Sequence, residues 1–262
     1  MNPGSTANFY RESSFSELRL ICESLPRQTR EWDKTDHFLA NEEYVHFIKL
    51  GTGASEEAIT QAGNDWQFDS LFRQTFGPNL LKLESLPDAG DLRFHSLTLY
   101  LFIRLLRPRL VVETGVAHGK SSSAILLALS HNNFGSLLSF DLFEDGSLRD
   151  GQTIRMSGQK TGWLVPSYLR DRWTLKMGDS IEQLALMKEG GYLAEQIDIF
   201  FHDSLHTYEH LTAELDLVAE IMSPTGKILC DNLEMESGRA IEDFAARVGS
   251  RVTGFGNFGC IV

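Results

Sequence analysis

The sequence predicts an α/β protein built on a doubly wound, mostly parallel sheet of seven strands with an antiparallel last strand, preceded by a mainly helical N-terminal extension. Three observations carry this. From Leu110 onward, short apolar β-branched runs alternate with helical periodicities. The first such run passes through a glycine turn into a helix, from Leu110 to Ser123. The last two runs, on either side of Gly256, are too close together for a crossover, so at least one of them is antiparallel.

Each element follows from its own pattern. In the extension, residues 1–90, Phe15 to Leu25 and Asp36 to Leu50 have helical spacing. Thr52 to Ser55 is a break, with Ser55 capping a helix from Glu56. Trp66, Phe68, Leu71, Phe72 and Phe76 form an aromatic cluster suited to packing, to a pocket wall or to a homo-oligomer contact; packing is the reading taken. Gly77-Pro78 and Pro87 to Gly90 read as turns. The main domain, residues 91–262, opens with a helix from Asp91 that Pro108 stops. Strands follow at Leu110, Ser136 to Asp141, Trp173 to Met177, Ile197 to His202 and Lys227 to Cys230. Between them, Trp163 to Arg170 has a helical cast, Ser180 with Gln183 forms a capping box, and Tyr208 to Met222 repeats at helical spacing. Ser237 to Val248 is a helix, and Arg251 to Phe255 and Asn257 to Val262 close the sheet.

Composition excludes several partners. The chain has 262 residues and a formal net charge of −12, against the basic face that nucleic acid requires. The apolar helix around Leu97 to Leu106 is too short to span a bilayer, and no membrane partner is expected. Cys22, Cys230 and Cys260 show neither metal spacing nor a disulfide framework, and Met1 to Thr6 does not begin a secretory leader, so a cytoplasmic setting is expected.

In open α/β sheets chemistry gathers at the carboxyl ends of the strands. The first strand ends in Glu113, followed by Gly115, His118, Gly119 and Ser121. Glu-x-Gly-x-x-x-Gly is not the dinucleotide fingerprint, and Gly115 lies one residue too close to Gly119-Lys120-Ser121 for a P-loop. An acid here repels phosphates but suits an amino group or hydroxyls. Asp141 ends the second strand, where an acid bonds ribose hydroxyls. Asp179 and Ser180 follow the third strand; they fit an adenine edge, and Asp179 fits a helix cap equally well. His202 and Asp203 end the fourth strand, with His206 just beyond, and Asp231-Asn232 ends the fifth.

In this order and spacing, residues 90 to 262 resemble the class I S-adenosylmethionine-dependent methyltransferases, which have a Rossmann-like sheet. The run from His202 to His210 resembles small-molecule O-methyltransferases of the macrocin and cephalosporin-hydroxylase type. Asp203 with Asp231 and Asn232 is similar to the metal triad of catechol and caffeoyl-CoA O-methyltransferases. The resemblance implies that Glu113 and the glycine loop hold the methionine part of the cofactor, Asp141 the ribose, and the residues near Asp179 the adenine. His118 is either a cofactor contact or solvent-facing.

The metal reading also makes chemical sense by itself. Asp203, Asp231 and Asn232 offer oxygen ligands only, which suits Mg²⁺ or another hard divalent cation. The competing reading has Asp231-Asn232 turning the chain and Asp203 capping a helix. His206 is the best-placed general base for a substrate hydroxyl. His202 is as much a structural histidine as a functional one. His37, His46, His95, His131 and His210 read as surface or packing residues, Tyr208 as core, and Cys230 as a small buried residue. The expected function is methylation of a hydroxyl on a small acceptor, with natural products a candidate class, and with Asp203 and His206 catalytic. The alternatives are a non-catalytic S-adenosylmethionine-binding or scaffold protein and an NAD-dependent oxidoreductase.

Overall fold

The computed structural model describes residues 34–84, 95–142, 159–190 and 196–262. The helix expected at 15–25, the turn at 87–90 and the segment 143–158 lie outside these residues.

The extension supplies helices α1 (Thr35–Leu39), α2 (Glu42–Thr52), α3 (Glu56–Phe68) and α4 (Ser70–Glu84). The single helix expected over Asp36 to Leu50 is two. Asn41 takes an extended conformation and its side chain accepts the Tyr44 N–H, starting α2 afresh. Ser55 caps α3 by accepting the Ala58 N–H. Helix α4 runs straight through Gly77-Pro78, which the sequence presents as a turn. Phe72, Phe76, Leu80 and Leu83 fall on one buried stripe of α4. Their burial outweighs the hydrogen bond that Pro78 cannot make. Trp66, Phe72 and Phe76 pack in the interior, with Trp66 5.2 Å from Tyr100 between ring centres, whereas Phe68 is 67% and Leu71 51% exposed.

After α5 (His95–Leu106) the chain enters β1 (Leu110–Thr114). Then come α6 (Lys120–Asn132), β2 (Ser136–Asp141), β3 (Trp173–Met177), α7 (Ser180–Glu189), β4 (Ile197–His202), α8 (Tyr208–Val218), β5 (Met222–Cys230), α9 (Glu236–Arg247), β6 (Val252–Phe255) and β7 (Phe258–Ile261). The seven-stranded sheet has the order β3-β2-β1-β4-β5-β7-β6. The first five strands are parallel, and β7 pairs antiparallel with both β5 and β6. The order reverses between β1 and β4, which puts a crevice at their carboxyl ends.

Two cores flank the sheet. Val111, Ile199 and Phe201 face α5, α6 and the helices of the extension; Val112, Phe200 and Ile228 face α7, α8 and α9. Every residue of β1 is buried, as a central parallel strand requires. The extension and the sheet therefore share one core. Among the described residues no helix is long and apolar enough to cross a membrane.

Other departures have local causes. The helical periodicity expected to Met222 stops at Val218, and Met222 already belongs to β5. The register steps from Ile197 opposite Met222 to Ile199 opposite Lys227, so Ser223 to Gly226 bulge out, where Pro224 needs no ladder donor. Trp163 to Arg170 is not an α-helix. Residues 161–165 form a turn, and a 3-10 helix, Ser167–Arg172, begins only after Pro166.

Candidate active site

The glycine loop is a consequence of crowding. Gly115 has φ of +84°, and a Cβ there would lie 2.0 Å from the Asp203 carbonyl oxygen. The Asp203 N–H donates to the Thr114 carbonyl at 2.9 Å, so the tips of β1 and β4 are laced together beneath the loop. Ala117 and Gly119 also have positive φ. Only a loop with left-handed residues turns this sharply into α6.

Glu113 is fully buried, and its carboxylate accepts the hydroxyls of Ser121 and Ser122 at 2.6 Å and Ser139 at 2.7 Å. Burial pushes its carboxyl up, opposed by the three serines. The resemblance implies that Glu113 and the loop hold the methionine part; in the structure Glu113 is also the anchor that ties α6 and β2 to β1. Ser121 is spent on the same anchor. Asp141 supports the loop from the next strand: Oδ2 accepts the N–H of Val116 at 3.1 Å and of Ala117 at 2.7 Å. Asp141 remains partly exposed at the β2 tip, and a carboxylate has room for a further donor such as a ribose hydroxyl.

Asp179 is the cap of α7, accepting the N–H of Ile181 and Glu182. The helix cap read at Ser180 therefore sits one residue earlier, without the reciprocal bond of a capping box among the hydrogen bonds described. Ser180 turns inward and donates to Glu214 at 2.5 Å.

The four residues read from strands four and five come together. His206 Nε2 lies 3.6 Å from Asp203 Oδ1 and 3.2 Å from Asn232 Nδ2. Asn232 occupies a left-handed conformation (φ +53°), its Oδ1 accepts Asn257 Nδ2 at 3.0 Å, and its N–H donates to Asp231 Oδ1 at 2.7 Å. Enclosure raises the Asp203 carboxyl above the ordinary range, helped by the neighbouring Asp231 and Glu113 carboxylates and a hydrogen bond with Asp231. Burial likewise raises Asp231. Burial lowers His206, against the pull of Asp231 and Glu234. Asp203 keeps about a third of its side chain open to solvent, 32%, so the cluster is accessible from the crevice.

A second polar centre was not read from the sequence. Glu214, fully buried on α8, accepts Ser180, Ser204 and His210 at Oε1, and Thr114 and His202 Nδ1 at Oε2. Burial opposes its charge, but His202 and His210 hold its carboxyl well below the usual range. His202 is lowered by burial and is neutral, since a second ring proton at its enclosed, unpartnered Nε2 would be stranded. His210, taken as a surface or packing residue, belongs to this centre. The signal was present: Glu214 lies on the stripe of Leu211, Leu215 and Val218, with His210 one helical turn before it.

The stretch from β1 to just past the tip of β5 is similar to known proteins. Residues 112–233 match a family described as a methyltransferase domain. Solved structures agree with the fold. An O-methyltransferase from Bacillus cereus in complex with S-adenosylhomocysteine superposes with a TM-score of 0.52 at 16% identity, over 82% of this chain and 99% of that one. TomG from Streptomyces achromogenes, an O-methyltransferase of tomaymycin synthesis in complex with S-adenosylmethionine, gives 0.51 at 16% identity, over 83% and 94%. PaMTH1 of Podospora anserina, bound to S-adenosylhomocysteine, gives 0.51 at 13% identity, over 90% and 97%. At such identities the likeness is one of fold. No curated protein matches the sequence. Among the described residues, no group of three or more His, Cys, Asp or Glu side chains is arranged to hold a metal ion.

Proposed function

We propose that this protein is an S-adenosylmethionine-dependent O-methyltransferase that acts on a hydroxyl of a small-molecule acceptor. One observation carries the reading: the Asp203–His206–Asp231–Asn232 cluster adjoins the glycine loop, because the Asp203 backbone rests directly on Gly115. A proton acceptor and a cofactor loop thus share one crevice. S-adenosylmethionine, when bound, supplies an electrophilic sulfonium methyl. The left-handed loop, the partly exposed Asp141 and the α6 N-terminus, which no side chain caps, fit its ribose and its amino-acid end.

His206 does the proton work. Its Nε2 faces Asn232 and Asp203, and burial keeps the ring unprotonated at neutral pH. An acceptor hydroxyl that displaces the Asn232 amide from Nε2 gives its proton there, and the Asp203 carboxylate faces the resulting imidazolium. The remaining catalysis is orientation, with oxygen, methyl carbon and sulfur in line.

A divalent ion such as Mg²⁺ fits two of the three expected ligands. Asp203 and Asp231 place their carboxyls side by side, each disfavouring the charge of the other, an arrangement a cation relieves. The Asn232 oxygen is engaged by Asn257 and joins only after its amide turns. Bound there, the ion would lower the pKa of a substrate hydroxyl. The O-methyltransferase neighbours, one of them in tomaymycin synthesis, support oxygen as the target and a natural product as the acceptor class. Cys260, free and buried, agrees with a reducing, cytoplasmic setting.

The test is methyl transfer from methyl-labelled S-adenosylmethionine to a panel of phenolic, catecholic and sugar hydroxyl acceptors, with Mg²⁺ and with chelator. Label in an acceptor ether supports the assignment, and its loss in chelator supports the ion. Cofactor binding with no transfer to any acceptor favours the non-catalytic alternative.

A further inference from the structure

Residues 161–165 lie against the glycine loop as a second wall. Gly162 N–H donates to the Ala117 carbonyl at 2.8 Å, and Leu164 N–H to the His118 carbonyl at 3.0 Å. The backbones touch: a Cβ on Gly119 would lie 2.8 Å from the Gly162 Cα. Arg170 fixes the wall from outside, donating to the carbonyls of Gly162 and Val165. Between the two backbone contacts stands Trp163. Its indole N–H donates to His118 Nδ1 at 2.8 Å, with the rings perpendicular at 88°. The Lys82 ammonium, from α4 of the extension, lies 5.1 Å from the Trp163 ring centre.

The tautomer of His118 follows. Nδ1 accepts, so the hydrogen of the neutral ring is on Nε2. His118 is only 5% exposed, and its Nε2 has no protein partner among the described residues. It directly precedes α6, whose N-cap, Gly119, supplies no side-chain cap to the first turn. A buried ring donor beside an uncapped helix N-terminus suits a carboxylate.

We infer that Trp163 is a positioning residue for the cofactor: it locks His118 so that Nε2–H is offered to the methionyl carboxylate. The inference rests on the cofactor assignment above and adds to it a residue outside the strand tips. Because the lysine of α4 covers the same indole, the extension becomes part of the cofactor site.

The test compares two ligands by calorimetry on the full chain. S-adenosylhomocysteine carries the amino-acid end; 5′-methylthioadenosine keeps the adenosine and sulfur without it. Trp163→Phe preserves the ring but removes the donor. It should weaken S-adenosylhomocysteine about fivefold, the worth of one ordinary hydrogen bond. Methylthioadenosine affinity and the melting temperature should stay unchanged. His118→Ala should show the same ligand-selective loss, and adding Trp163→Phe to it should weaken binding no further. Equal affinity in Trp163→Phe, an equal loss for both ligands, or additive effects in the double variant would overturn the inference while wild-type binding keeps the cofactor assignment. Wild-type protein that binds neither ligand would overturn both. If Trp163→Phe does not fold, the His118→Ala comparison decides alone, and a loss shared by both ligands goes against the proposal.

Discussion

Gly115 lies so close beneath Asp203 that a single methyl group on it would meet the Asp203 carbonyl oxygen at 2.0 Å. The glycine loop and the Asp203–His206 cluster are thereby held against one another, and the relationship is directly testable. Gly115→Ala combines a left-handed backbone with a clash against main chain, which costs about 3 kcal/mol. It should lower the melting temperature by several degrees and abolish S-adenosylhomocysteine binding. An unchanged melting curve with unchanged affinity would show that the loop has room the structure denies.

Glu113 makes a different prediction from the one its place in the motif suggests. Its removal strands the hydroxyls of Ser121, Ser122 and Ser139 in the core. Glu113→Ala should therefore cost about 3 kcal/mol of stability. Glu113→Gln, which keeps an acceptor, should cost less and retain cofactor binding. Loss of affinity in Glu113→Gln at full stability would restore the direct ligand contact.

The strand-five tip separates chemistry from cofactor binding. Asp231→Ala should reduce methyl transfer by at least a hundredfold, on the order of a lost general-acid–base or metal contribution. Affinity for S-adenosylhomocysteine, measured by calorimetry, should remain near wild type. Full activity of Asp231→Ala, or of wild type in chelator, would remove the metal from the mechanism.

How far these predictions were legible in the sequence differs by residue. The strands and their tips were readable because a parallel strand and a glycine turn have local signatures, so Gly115, Asp141, Asp203, His206 and Asp231 could be placed from spacing. Asp179 showed its capping chemistry in the sequence, and the structure gives it that task. What spacing cannot reveal is which side chains meet across elements. Glu214 collects groups from β1, β4, α7 and α8, and Trp163 reaches His118 across 45 residues. Helix α4 shows the same limit: Gly77-Pro78 is a turn by local rule and helix by virtue of the core it serves.

Acid should withdraw the stability that the buried, neutral histidines contribute. Burial holds His118, His202 and His206 below the ordinary value of 6.5. Once the pH falls under that value, these groups bind more protons in the unfolded chain than in the folded one. Their contribution is complete above pH 6.5 and drains as the pH falls toward the depressed folded values. Glu113, Asp203 and Asp231, raised by burial, act in the opposite direction, so the histidine part is read as a difference. Beside a His202→Gln variant, whose side chain does not titrate, the wild-type melting temperature should hold its lead between pH 7 and 8 and lose part of it between about pH 6.5 and 5. A lead that stays level or grows over that lower interval would mean that His202 is charged in the fold.

The central claim is that the crevice above β1 and β4 binds S-adenosylmethionine. Calorimetric titration of the wild-type chain with S-adenosylhomocysteine, beside Asp141→Ala and with NAD⁺ as the competing ligand class, tests it most directly. The account predicts one-to-one binding of S-adenosylhomocysteine with and without Mg²⁺, marked weakening in Asp141→Ala, and no binding of NAD⁺. Absence of S-adenosylhomocysteine binding in both conditions, or tighter binding of NAD⁺, would contradict it.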